Sequence, residues 1–230
     1  MVLAAGVPAM ILETFLWFAT LAAPASPAPA RHLIYLHGRI VQEQQSVRPV
    51  SPRFGPYELE AIRAAFRERG FELHSAIRPR GASVSESADR VVAEVRALLD
   101  AGIAPERITI VGASMGASIA FAASARLQNP DLRFAFLGAC PLENVRAMRE
   151  DEGRPPAGRL LVVHETSDDT QPPCAPWNPA ELPPPSLLRE VVLDTGLSHG
   201  FLFRPLPEWL EPVVDWARAE PEPSSATAGP

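Results

Sequence analysis

The sequence predicts an α/β domain: a three-layer αβα sandwich around a mainly parallel sheet. Three observations carry that prediction. Short apolar runs rich in β-branched residues alternate with segments of helical period, the order produced by parallel strands joined through crossover helices. One such run, Ile108-Thr109-Ile110-Val111, leads through Gly112-Ala113-Ser114-Met115-Gly116 straight into a helix of small residues. A length of 230 residues with 47% hydrophobic content is enough for one well-cored domain.

In chain order, residues 1–30 stand apart. Glu13 is their only charge, and Met10-Ile11-Leu12 with Phe15-Leu16-Trp17-Phe18-Ala19 makes an apolar stretch ahead of a Pro/Ala run from Pro24 to Ala30. That order fits an export signal cut near Ala25 or Ala30, although a basic start is missing and Glu13 interrupts the apolar core. An uncleaved membrane anchor and a cytoplasmic protein with a fortuitous apolar start are the alternatives. The expectation is export to a periplasmic or secreted location, with membrane contact only if the segment stays attached. The folded domain is expected over 31–219, and the Pro/Ser/Ala-rich residues 220–230 are expected to be a disordered tail.

Arg31 to Leu36 reads as a buried strand ending in His37-Gly38. A helix is predicted from about Tyr57 to Arg69, with Leu59, Ile62 and Phe66 on one face and Gly70 as its stop. Another runs from about Ser85 to Asp100, turning Val91, Val95, Leu98 and Leu99 inward behind a capping box made by Ser83 and Glu86. After the strand at Ile108 comes the small-sided helix, then strands at Phe134–Leu137, Leu160–His164 and Glu190–Leu193. The last two lead into polar turns, Glu165-Thr166-Ser167-Asp168-Asp169 and Asp194-Thr195-Gly196-Leu197-Ser198-His199-Gly200-Phe201. Long connections are expected at Ile40–Pro56 and Thr170–Ser186, and loops of that length are usually functional or disordered.

Gly-x-Ser-x-Gly between a strand and a helix is a nucleophile elbow. The turn is so tight that the residues two before and two after the serine must be small, which leaves Ser114 Oγ exposed at the carboxyl edge of the sheet. Helix N-terminal amides lack intrahelical partners, so the Met115 N–H is free to meet a developing oxyanion. An acid past one later strand and a histidine past the next complete the order Ser…Asp…His. In these residues the chain resembles the α/β-hydrolase family over roughly Leu33 to Ala217, and in particular its small capless members, the serine esterases and dienelactone-hydrolase-like proteins.

That resemblance implies an α/β-hydrolase fold without a large cap domain. It also implies Ser114 as nucleophile, His199 as general base and Asp168 as the acid, with Asp169 its competitor. Glu165 stands where the family pattern has glycine. The second oxyanion amide is implied just after His37-Gly38, with the Arg39 N–H as candidate and Gly38 beside it, whereas His37 is expected to shape the loop. Substrate contacts are expected from the two long connections, with Arg48, Arg53 and Trp177 as candidates against solvated or packing roles. Arg78-Pro79-Arg80-Gly81 either holds an anionic group or shapes a turn. Neighbouring strands in the family's sheet would bring Cys140 and Cys174 to one edge, as a disulfide or as two free thiols.

The expected function is a serine hydrolase acting on small or medium carboxylic esters. Amidase, peptidase or thioesterase chemistry with the same triad is the alternative, as is a non-catalytic hydrolase-fold binding protein. No P-loop or Gly-x-Gly-x-x-Gly fingerprint follows a strand, and no His/Cys cluster has metal spacing, so neither cofactor nor metal is expected. A net charge of −6 without a basic stripe gives nucleic-acid binding no electrostatic support. The partner expected is a small-molecule ester.

Overall fold

A computed structural model describes residues 30–139, 152–170 and 186–220. The apolar N-terminal segment, Cys140, Cys174, Trp177 and the C-terminal tail lie outside the described residues, and with them the export, disulfide and Trp177 expectations.

The elements are β1 (Arg31–Leu36), α1 (Arg39–Gln44), β2 (Val50–Ser51), β3 (Gly55–Pro56), α2 (Leu59–Glu68), β4 (Phe71–His74) and α3 (Val84–Asp100). They continue with β5 (Ile108–Ala113), α4 (Met115–Leu127), β6 (Arg133–Leu137), β7 (Arg159–Glu165), β8 (Leu187–Leu193) and α5 (Pro207–Arg218). Six strands form one sheet in the order β4-β1-β5-β6-β7-β8, every pair parallel. β2 and β3 pair antiparallel as a separate small hairpin.

Alternation along each central strand divides the core in two. Leu33, Tyr35, Val111, Ala135, Leu137, Leu161 and Val163 pack on α1, α2 and α5. Ile34, Leu36, Ile108, Ile110, Phe134, Phe136, Leu160 and Val162 face α3 and α4. A parallel sheet covered on both faces must be apolar on both, which is why these strands read as continuous hydrophobic runs. The three-layer αβα expectation is thereby met.

Local signals explain the start of α3 and the end of α2. Ser83 Oγ accepts the Glu86 N–H at 3.1 Å while the Glu86 carboxylate accepts the Ser83 N–H at 2.9 Å, so the reciprocal box at the start of α3 is formed. Gly70 takes φ +79° just after α2 and stops it.

Two segments depart from the sequence expectation. The connection over 40–56 is not a plain loop, because α1 and the β2–β3 hairpin occupy it. Val41 enters the core and Gln42 is buried, so tertiary contacts stabilise a helix too short to persist alone. α5 is the other, although Pro207 at its start and Trp209, Leu210, Val213, Val214 and Ala217 at helical spacing carry the signal.

Candidate active site

Ser114 joins β5 to α4 with φ 54° and ψ −120°, a backbone state that an L-residue adopts only when its surroundings over-determine it. They do so here. The Ser114 N–H donates to the Leu137 carbonyl at 2.8 Å, and the Ser114 carbonyl accepts the Ala117 N–H at 2.7 Å. The flanking glycines are required by contact, since a Cβ on Gly112 would sit 2.6 Å from the Ala117 nitrogen and one on Gly116 would sit 2.7 Å from the Leu36 carbonyl carbon. α4 can therefore lie directly against β1. Met115 is the first residue of α4, where its N–H has no intrahelical acceptor.

The acid and histidine turns follow neighbouring strands, β7 and β8, and meet at the same sheet edge. The imidazole of His199 donates from Nδ1 to Asp168 Oδ2 at 2.6 Å. Asp168 Oδ1 accepts the Thr170 N–H at 3.0 Å and the Thr170 hydroxyl at 2.6 Å. Burial pushes the Asp168 carboxyl up, but the bonds from His199 and Thr170 outweigh it and hold the group below its ordinary value. Asp169 turns outward instead. It takes the Arg53 guanidinium at 2.7 Å on both oxygens and the Ser198 hydroxyl at 2.9 Å.

Ser114 and His199 line one cavity of about 380 Å³, together with Gly38 and Arg39. No hydrogen bond joins the two side chains in this arrangement, and unliganded sites commonly tighten only when substrate arrives. The rest of the wall is largely apolar: Ile40, Phe54, Tyr57, Leu202 and Phe203, with Glu43, Ser51 and Thr170 as polar members. Phe54 comes from the hairpin and stacks edge-on against Phe203 with ring centres 5.4 Å apart.

The proposed substrate arginines do not line this cavity. Arg48 lies in a separate open groove beside Glu58 and Glu60. Arg53 is exposed, bound by Asp169 and laid over the Phe54 ring at 4.9 Å, so it ties the hairpin to the acid turn. Among the described residues, no group of three His, Cys, Asp or Glu side chains could hold a metal ion.

Glu165, the departure from the glycine pattern, is a buried staple between the two turns. Its Oε2 accepts the Thr195 hydroxyl at 2.6 Å and the Thr195 N–H at 2.9 Å, and its Oε1 accepts the Ser167 hydroxyl at 2.9 Å and N–H at 3.2 Å. Ser167 Oγ in turn accepts the Ser198 N–H at 3.0 Å, beside His199. Burial raises the carboxyl, but these donors prevail and hold it down to about 2.

A folded-state value below the unfolded one means that this stabilisation is full above about 4.5 and fades as pH falls toward about 2. Glu165→Gln should therefore cost on the order of 2 kcal/mol near neutral pH, because an amide N–H₂ then faces backbone donors. The gap from wild type should close in acid. Denaturant unfolding at neutral pH and at pH 3 checks this, and a gap that stays constant would refute it.

His37 is fully buried and held at about 4 by desolvation and by the nearby Arg78 charge, so it is neutral at ordinary pH. It accepts the Arg78 N–H on Nε2 at 3.1 Å, which places its proton on Nδ1, 2.9 Å from the Gly38 carbonyl. It shapes the loop, as the sequence suggested. Arg78 also turns inward, to the same loop.

No protein-family model matches the chain, and no curated protein matches it. Solved structures do. A single-residue variant of SOBER1 from Arabidopsis thaliana superposes with a TM-score of 0.52 at 16% identity over 81% of this chain and 97% of its own. ATU1826 of Agrobacterium tumefaciens, a protein of unknown function, gives 0.51 at 18% identity over 84% and 87%. The 2,6-dihydroxy-pseudo-oxynicotine hydrolase gives 0.50 at 16% identity, covering 85% of this chain and 63% of its own. With these likenesses beside a parallel sheet that carries an elbow serine, an acid turn and a histidine turn in that order, the chain has the α/β-hydrolase fold.

Proposed function

We propose that the protein is a serine hydrolase that cleaves small or medium carboxylic esters through an acyl-enzyme on Ser114. The observation that carries this reading is the half-buried Asp168–His199 pair, whose imidazole lines the cavity that Ser114 also lines. A serine hydroxyl is a weak nucleophile at neutral pH and needs a base as its bond to carbon forms. In this mechanism His199 Nε2 takes the Ser114 proton while Oγ attacks the ester carbonyl. The Asp168 carboxylate fixes the Nδ1–H tautomer and stabilises the transient imidazolium.

The tetrahedral oxygen is met by the Met115 and Arg39 N–H groups, each contributing on the order of 3 kcal/mol. His199 then protonates the departing alcohol, and water activated by the same imidazole releases the acid from Ser114. The apolar wall and modest volume of the cavity support a short or medium acyl or alkyl group over a long chain.

A fluorophosphonate probe tests the reading on the full chain. Covalent label is expected on the peptide that contains Ser114, and a folded protein that never takes label would instead be a binding module. Asp168→Asn is expected to lower kcat by roughly 10⁴-fold through loss of the productive tautomer. Asp169→Asn loses an exposed ion pair with Arg53 and weakens the Ser198 contact, and should leave stability and kcat close to wild type. Ester kinetics on the two variants side by side would expose a reversed assignment.

A further inference from the structure

The loop that carries the Arg39 amide is held from behind by a buried cation. Arg78, which follows the edge strand β4, is only 8% exposed. Its Nη2 donates to the His37 carbonyl at 2.6 Å and, at 3.4 Å, to the Gly38 carbonyl, while Nε donates to Gln42 Oε1 at 2.8 Å. Gln42 and Gln45 return the contact from α1, donating to the Ala82 and Arg78 carbonyls at 2.9 Å each. These acceptors are all neutral. Buried guanidinium groups are ordinarily matched by carboxylates, so a fully neutral set leaves the charge uncompensated. Nη1 has no partner among the described residues. Burial lowers the Arg78 pKa to about 10, which still leaves it charged at neutral pH.

The Gly38 carbonyl is thus gripped twice, by Arg78 Nη2 and by His37 Nδ1. In a trans peptide the N–H points opposite to the C=O, so a carbonyl drawn into the buried network turns the Arg39 N–H away from it; Gly38 and Arg39 both line the cavity that Ser114 lines. A hydrogen bond to the carbonyl also polarises the same peptide and strengthens its N–H as a donor.

We infer that Arg78 is a positioning residue for the oxyanion hole: it locks the Gly38–Arg39 peptide with its N–H toward Ser114 and supports the oxyanion with a charge that no carboxylate among the described residues neutralises. The inference rests on the serine-hydrolase reading above. It answers the choice left open by the sequence at Arg78-Pro79-Arg80-Gly81. In this reading the arginine organises a loop and binds no ligand anion.

The test compares Arg78→Met, Arg78→Gln and Arg78→Lys in the full chain, using phosphonylation of Ser114 by a fluorophosphonate and hydrolysis of p-nitrophenyl butyrate. Phosphonylation builds negative charge on the phosphoryl oxygen where the acyl oxygen would sit, so its rate reads the oxyanion donors. Arg78→Met is expected to slow phosphonylation and kcat by roughly 10- to 100-fold, with KM changed by less than about threefold. Arg78→Lys should recover part of the loss by restoring charge, and Arg78→Gln should recover less.

Arg78→Met or Arg78→Gln with a lowered Tm but wild-type phosphonylation and kcat would make the arginine a packing residue and overturn the inference. Wild-type protein that is never phosphonylated would sink the hydrolase reading itself. The crystal structure of Arg78→Met would then decide the clamp separately, by whether the Gly38 carbonyl leaves His37 or stays.

Discussion

Ser114→Ala is expected to abolish ester turnover, lowering kcat by a factor on the order of 10⁶, about 8 kcal/mol of barrier, while leaving the fold intact. The size follows from the division of labour at the site. In the proposed mechanism the loss of Oγ removes the acyl-enzyme and leaves the His199 and Asp168 pair no hydroxyl to activate. The fold survives because alanine keeps the Cβ, and with it the same backbone strain at φ 54°, while the bonds that enforce the turn are backbone bonds to Leu137 and Ala117. Tm should move by no more than about 2 °C. Retention of wild-type rates in the purified variant would remove Ser114 from the chemistry.

Gly116→Ala carries the largest expected effect on stability. A methyl group at this position overlaps the Leu36 carbonyl and lies 3.1 Å from the His37 oxygen, and both are backbone atoms of the central strand and of the loop that follows it. Neither can swing aside as a flexible side chain would. α4 has to withdraw from β1, breaking contacts with Ile34 and Leu36 in the core that Ala117 and Ala120 share. The cost is about 4 kcal/mol, a large part of the 5–15 kcal/mol that holds an ordinary domain together. Thermal unfolding should show Tm lower by roughly 10 °C, whereas Ser118→Ala, on the half-buried side of the same helix, should change it little. Equal Tm values for the two variants would show that the elbow tolerates a wider turn than the structure implies.

Much of the site is legible along the chain because each part is local. The elbow announces itself through Gly112 and Gly116, and the strands before Asp168 and His199 are readable from their apolar runs. Asp168 and Asp169 are a different matter. Adjacent in sequence, they differ in the side of the turn they face, and only the His199 and Thr170 contacts of the one against the Arg53 ion pair of the other separate them. Arg48 and Arg53 look equivalent as loop cations, yet one lies in another groove and the other is occupied by Asp169.

Glu165 and Arg78 illustrate the harder class. Nothing near Glu165 in the chain marks it as the staple of two turns, since its partners at Thr195 belong to a strand end that pairing of β7 with β8 brings alongside. Arg78 reads as an anion holder or a turn former until β4 lies beside β1 and aims its loop at the carbonyls of His37 and Gly38.

By itself the sequence determined the layers, the parallel sheet and the chain order of the elbow serine, the acid turn and the histidine turn, because periodicity, turn chemistry and glycine requirements act within a few residues. Only the tertiary structure decided which aspartate meets the imidazole, which residues wall the cavity and which buried charges hold the loops. Those outcomes depend on strand pairing between distant segments, and burial then converts ordinary polar residues into partners whose hydrogen bonds must be satisfied.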